Sequence, residues 1–199
     1  MMSLVIEIVI LLIGIVLSSI YPLSLLSVYG SLAVLCVIVY IVARKRHMSL
    51  IDSGISTDFK TALSPWTIMT IGLLFLLAVA KLLYPEGLFT GLLADRRDFA
   101  YFIPLYILGS LPQEFVFRGY YFARVKSYMN TSTAIILNII IFSLFHIPIM
   151  VHLKSNLLYL SIFGGILWSI YYAKYPNLYL AWISHALVGS TAFLLLKQF

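Results

Sequence analysis

The chain has 199 residues, of which 62% are apolar and 10% charged, with a mean hydropathy of +1.04. These values lie far outside the soluble range and imply an integral membrane protein with room for one ordinary domain. The net charge of +6 does not indicate nucleic acid, because the basic residues fall between apolar runs and form no basic-aromatic stripe along a polar helix.

Leu4 to Ile20 form an apolar run without a basic leader or an A-x-A-like cleavage site, which predicts a first transmembrane helix with Glu7 near its cytoplasmic end. Tyr21-Pro22 predicts a turn into a second run, about Leu25 to Ala43, closed by Arg44-Lys45-Arg46-His47 on the cytoplasmic side. Cys36, the single cysteine, lies in that run, so neither a disulfide framework nor a cysteine zinc cluster is expected. Met48 to Lys60 reads as a cytoplasmic loop. A third helix is expected over Pro65 to Leu83, and Pro85 to Asp98 returns outside, with Leu88 to Leu93 a candidate interfacial stretch.

A fourth run extends from Phe99 to Phe122 and stops at Arg124 and Lys126. The fifth, Thr131 to Met150, carries Phe142-Ser143-Leu144-Phe145-His146 and precedes an outer loop with His152 and Lys154. In the sixth, Leu157 to Ala173, Gly164-Gly165 would permit close backbone approach between membrane helices. The seventh, Leu178 to Leu196, carries Ser184-His185. The pattern predicts an all-α polytopic membrane bundle of about seven transmembrane helices. The distribution of Lys and Arg predicts a cytoplasmic N-terminus, and the expected location is the cell (plasma) membrane. No internal repeat is present.

An ionisable residue at bilayer depth costs at least about 2.5–3.5 kcal/mol, so it requires a partner or a purpose. Glu114 precedes the edge residue Arg124 by ten positions, which puts it roughly 15 Å into a core about 30 Å thick. His146 and His185 follow the starts of their helices by fifteen and seven residues, roughly 22 and 10 Å deep. One carboxylate and two imidazoles from three helices thus meet near mid-membrane. A purely structural reading also exists: Glu114 and Arg118, about 40° apart around one helix, pair as ions, and each histidine donates between helices. Pro112 either bends a continuous helix and frees the carbonyl of Leu108, or follows a capping box, Ser110-x-x-Gln113, that starts a new one.

Taken together, Gln113-Glu114-x-x-x-Arg118, Phe142-x-x-x-His146 and His185-x-x-x-Gly189 resemble the ordered motifs Glu-Glu-x-x-x-Arg, Phe-x-x-x-His and His-x-x-x-Asn. Those motifs mark the CPBP family of intramembrane proteases, also called the CAAX-protease, bacteriocin-processing or Abi family. The likeness spans about Ile103 to Thr191. It implies a CAAX-protease-like bundle with a catalytic core over residues 99–199, preceded by transmembrane helices and loops over 1–98. Two positions depart from the pattern: the family's first Glu, regarded as the base, is Gln113 here, and its Asn, thought to help hold the oxyanion, is Gly189. Glutamine positions a water but cannot take its proton, and glycine has no side-chain donor. A bacterial branch that reads Pro-Gln-Glu and ends its last motif in Gly looks similar. Gln113→Glu together with Gly189→Asn is then expected to leave activity unchanged or raise it.

Amide hydrolysis needs a polarised water, a base and a group that bears the intermediate's charge. Glu114 is the expected base. Gln113 would orient the water or the substrate carbonyl, and Arg118 would fix Glu114 or meet a peptide's C-terminal carboxylate. His146 and His185 either ligate a divalent metal such as zinc or donate hydrogen bonds to water and oxyanion directly. The implied substrate is a membrane-associated peptide or protein precursor cut near the bilayer. The alternative is a catalytically inactive relative acting as a membrane immunity or partner-binding protein. A small transporter with a proton-relay carboxylate is a third class, disfavoured by the lack of inverted halves.

Overall fold

A computed structural model describes residues 2–20, 25–45, 58–85, 96–148 and 158–196. Among these, regular structure is helical throughout. The helices are α1 (Met2–Ile20), α2 (Leu25–Lys45), α3 (Phe59–Leu83) and α4 (Arg96–Glu114). A π-helical segment, Phe115–Phe122, follows α4 directly and leads through the single turn α5 (Ala123–Lys126) to α6 (Thr131–Phe145), α7 (Leu158–Lys174) and α8 (Leu178–Leu196). The expected all-α bundle is therefore observed. The Leu88 to Leu93 stretch, His47, and the loop with His152 and Lys154 lie outside the described residues.

Two boundaries, the start of α3 and the end of α6, differ from expectation for a local reason. α3 starts six residues before Pro65 because Asp58 caps it, accepting from the Lys60 N–H at 3.0 Å and from the Thr61 hydroxyl. α6 starts where Asn130 accepts from the Thr133 N–H at 2.8 Å. It ends at Phe145 rather than at Met150, and Pro148 stands shortly beyond the stop. His146 is thus the C-terminal cap of α6, not a mid-helix residue. Pro112 lies inside α4, and the Ser110 hydroxyl donates back to the Ile107 carbonyl at 2.8 Å. The capping-box alternative is not formed, and the chain instead widens into the π-helical segment.

That segment is the hub of the bundle. Every residue from Val116 to Phe122 is buried, as expected of a helix enclosed on all sides. It packs against α2, α6 and α8, while α8 also packs against α3 and α4, and α6 against α7. Leu4 and Leu11 of α1 and Val39 of α2 join Val116, Phe117, Phe142 and Trp168 in one apolar cluster. The Tyr120 hydroxyl donates to the Glu7 carboxylate at 2.8 Å, tying α1 to the hub.

Polarity is arranged inside out. Ser110, Gln113, Glu114, Arg118, Asn138, Ser169, Ser184 and His185 are buried, whereas Val5, Ile10, Ile68, Phe75, Ile136 and Leu194 are exposed. Among the described residues, Phe59–Leu83 and Leu178–Leu195 are long and apolar enough to cross a membrane.

Candidate active site around Glu114

Glu114 is the last residue of α4, and Arg118 lies within the π-helical segment. Both are fully sealed, at 0% exposure. Arg118 Nη1 donates to Glu114 Oε1 at 2.7 Å. The His185 Nδ1 of α8 lies at 2.7 Å from the same oxygen. A carboxylate oxygen only accepts, so the proton of that bond belongs to Nδ1. Glu114 Oε1 therefore receives two donors, while Oε2 is buried with no hydrogen-bond partner.

The guanidinium of Arg118 is held from its faces. Its central carbon sits 3.9 Å from the Phe142 ring centroid and 5.8 Å from that of Trp168. Such desolvated cation–π contacts contribute about 2 kcal/mol. Trp168 also stacks on His185, with centroids 4.7 Å apart at 34°. Its indole N–H donates to Ser184 Oγ at 2.9 Å, and the Thr70 hydroxyl donates to the same oxygen at 2.9 Å. Helices α3, α7 and α8 are locked together one residue before the site histidine.

His146 is fixed from the other side. Its Nδ1 donates to the Phe142 carbonyl at 2.7 Å, which leaves Nε2 as an acceptor facing the Gln113 amide nitrogen at 3.4 Å. The His146 and His185 ring centroids are 6.4 Å apart. Gln113, Glu114, Arg118, His146 and His185 thus form one cluster, as the depth argument anticipated. Exposure rises across it, from the sealed Glu114, through Gln113 at 6%, to the half-buried His146. The His146 side is the exposed end of the cluster.

The donor set does not fit a catalytic metal well. Among the described residues no group of three His, Cys, Asp or Glu is placed to hold an ion. Catalytic zinc sites use three protein ligands, whereas here Glu114 is already committed to a guanidinium and His146 Nε2 to an amide.

With this geometry defined, similarity to known proteins can be weighed. Residues 94–191 match the family described as Type II CAAX prenyl endopeptidase Rce1-like, a stretch that contains the whole cluster. The chain belongs to the CAAX-protease family. No curated protein and no solved structure matches it.

Several elements of this candidate site were not read from the sequence. Phe142 was noted only as a motif position, yet its carbonyl orients His146 and its ring covers Arg118. Trp168 carried no signal. Asn138 did, as an amide at bilayer depth in an apolar run: it donates to the Phe117 carbonyl in the π-helical segment at 2.6 Å and accepts from the Ser169 hydroxyl at 3.0 Å. Gly164 and Gly165 lie on α7, which packs against α6 as expected. A Cβ at Gly164 would meet the Trp168 ring at 2.6 Å, and one at Gly165 the Phe142 ring at 3.1 Å, so the glycines make room for the rings around Arg118 and His185. At Gly189 a Cβ would overlap the hydroxyl and ring of Tyr106. A side chain at position 189 would therefore have to displace Tyr106.

Proposed function

We propose that the chain is an intramembrane endopeptidase of the cell membrane, multi-pass with a cytoplasmic N-terminus, in which Glu114 is the general base. The observation that carries this reading is the asymmetry of the carboxylate: two donors hold Oε1, and Oε2, buried and unpartnered, is left to accept a proton. A water between Oε2 and the Gln113–His146 pair gives its proton to Oε2 while its oxygen bonds to the peptide carbonyl carbon. The resulting tetrahedral intermediate collapses by breaking the carbon–nitrogen bond, and the Glu114 carboxyl returns the proton to the leaving amine. Gln113 and His146 orient the water; Arg118 and His185 position the base. Arg118, sealed beneath Phe142, holds Glu114 rather than meeting a peptide terminus. No step is routed through a metal. The substrate class is a membrane-associated peptide or protein, entering from the His146 side.

A second reading, an inactive membrane protein that binds a partner, draws on the complete burial of the Glu114–Arg118 pair, which suits a structural staple. The two diverge in one experiment, comparative mass spectrometry of membrane and secreted peptides from cells with wild-type or variant protein. Glu114→Gln alone leaves a buried guanidinium without its counter-charge, a loss of about 3–5 kcal/mol, so the decisive variant is Glu114→Gln with Arg118→Leu. The peptidase reading expects normal protein levels and loss of specific cleavage products, by about 10²–10⁴-fold in rate. An unchanged peptide pattern at normal protein level supports the staple.

A further inference from the structure

We infer that Thr70, on α3, is a positioning residue for Glu114, acting through Ser184 and Trp168 on the two groups that hold the carboxylate. This rests on the peptidase reading above, in which Arg118 and His185 position the base. Trp168 is a neighbour that these two share. Its ring stacks on His185, with centroids 4.7 Å apart, and its centroid lies 5.8 Å from the guanidinium carbon of Arg118. His185 Nδ1 and Arg118 Nη1 each reach Glu114 Oε1 at 2.7 Å. A tilt of the indole is therefore passed to the carboxylate from two sides.

The tilt of the indole is set at its one polar atom. Tryptophan Nε1 can only donate, and here it donates to Ser184 Oγ at 2.9 Å. A serine side chain has three staggered positions for that oxygen. The Trp168 indole from α7 and the Thr70 hydroxyl from α3, also at 2.9 Å, together select one of them. Thr70, Ser184, Trp168 and His185 are all buried, which shields the relay from solvent and strengthens each bond in it. Threonine is stiff about its first side-chain bond, so it makes a firm anchor. Ala62, Trp66 and Thr70 recur at four-residue spacing, which places them on one face of α3. The Ala62 carbonyl accepts from the Tyr171 hydroxyl at 3.3 Å, and the Trp66 indole donates to the Leu180 carbonyl at 2.6 Å. Of the three contacts, that of Thr70 ends beside a site residue. Thr70 precedes residues 94–191, the stretch shared with the family, so the assignment extends the site to a helix outside that match.

The test uses a peptide whose cleavage depends on Glu114, identified by the mass spectrometry above, then synthesised and assayed with the purified full chain in detergent micelles. Thr70→Val keeps the shape and removes the hydroxyl: kcat should fall about 10-fold, the value of one well-made hydrogen bond, with KM unchanged. Thr70→Ser should restore most of the loss. Trp66→Phe removes another bond between α3 and α8, five residues before His185; it should lower the unfolding midpoint and leave kcat at the wild-type value. Ser184→Ala removes the shared acceptor, and adding Thr70→Val to it should cost nothing further. Wild-type kcat in Thr70→Val or in Ser184→Ala, with the Glu114→Gln, Arg118→Leu variant inactive, overturns the role of Thr70 and leaves the peptidase reading intact. Equal falls in kcat for Thr70→Val and Trp66→Phe, or losses that multiply in the double variant, make Thr70 a helix contact like its neighbours and likewise overturn it. If no cleavage depends on Glu114, the peptidase reading falls, and this inference with it.

Discussion

At the scale of single residues, the site is built as much from missing atoms as from present ones. Gly164 and Gly72 show how context sets the sign of the same substitution. Alanine in place of a helical glycine normally stabilises by about 0.8–1 kcal/mol. At Gly72, where a Cβ meets nothing within 4 Å, Gly72→Ala should deliver a gain of that order. At Gly164 the added methyl meets the rigid Trp168 indole at 2.6 Å, and overpacking costs about 1–3 kcal/mol. Gly164→Ala should therefore be net destabilising and should loosen the indole's bond to Ser184. Thermal unfolding of the two variants in detergent checks this, and equal gains would contradict it. Glu114, His146 and His185 were legible in the sequence because a polar side chain in an apolar run has few inexpensive explanations. Trp168 and Tyr106 were not, since an aromatic in such a run looks the same whether it faces lipid or covers a guanidinium.

Among the elements, the π-helical segment was the least legible and matters most. Its apolar run reads as ordinary helix, and only the registry of hydrogen bonds, invisible in composition, separates the two forms. Its internal anchor is Asn138, whose amide donates to the Phe117 carbonyl and accepts from Ser169. Asn138→Leu removes both bonds, a loss of about 0.5–1.5 kcal/mol for each. Cleavage should fall with stability, because Arg118 is the next residue along the chain. Unfolding and cleavage measured together test this, and an unchanged midpoint would show that the segment holds its form unaided. The ends of the helices were legible where a cap or proline stood near them. Asn130 and Pro148 bracket α6, and the proline was passed over because an apolar run extends beyond it. At Asp58 the hydrogen bonds from the Thr61 hydroxyl and the Lys60 N–H hold the carboxyl below its usual range. The cap's contribution is thus present above the ordinary carboxylate pKa and is lost as pH falls through the lowered one.

Over the whole molecule, composition and the depths of Glu114, His146 and His185 foresaw an apolar bundle around a polar cluster, while the pairing of helices came only with the coordinates. Hydrophobic runs state how many helices a chain has and how long they are, but carry little about neighbours, since lipid and protein offer an apolar face nearly the same welcome. The sealed cluster of Glu114, Arg118 and His185 has a mechanical consequence. Peeling α8 away would strand a carboxylate and a guanidinium beside acyl chains, so the cluster acts as a latch on the last helix. A molecule drawn from its C-terminus by an atomic-force tip should resist most as His185 leaves Glu114. Replacing Glu114 and Arg118 together by leucine should lower that peak of force, and an unaltered force trace would mean that the latch is elsewhere.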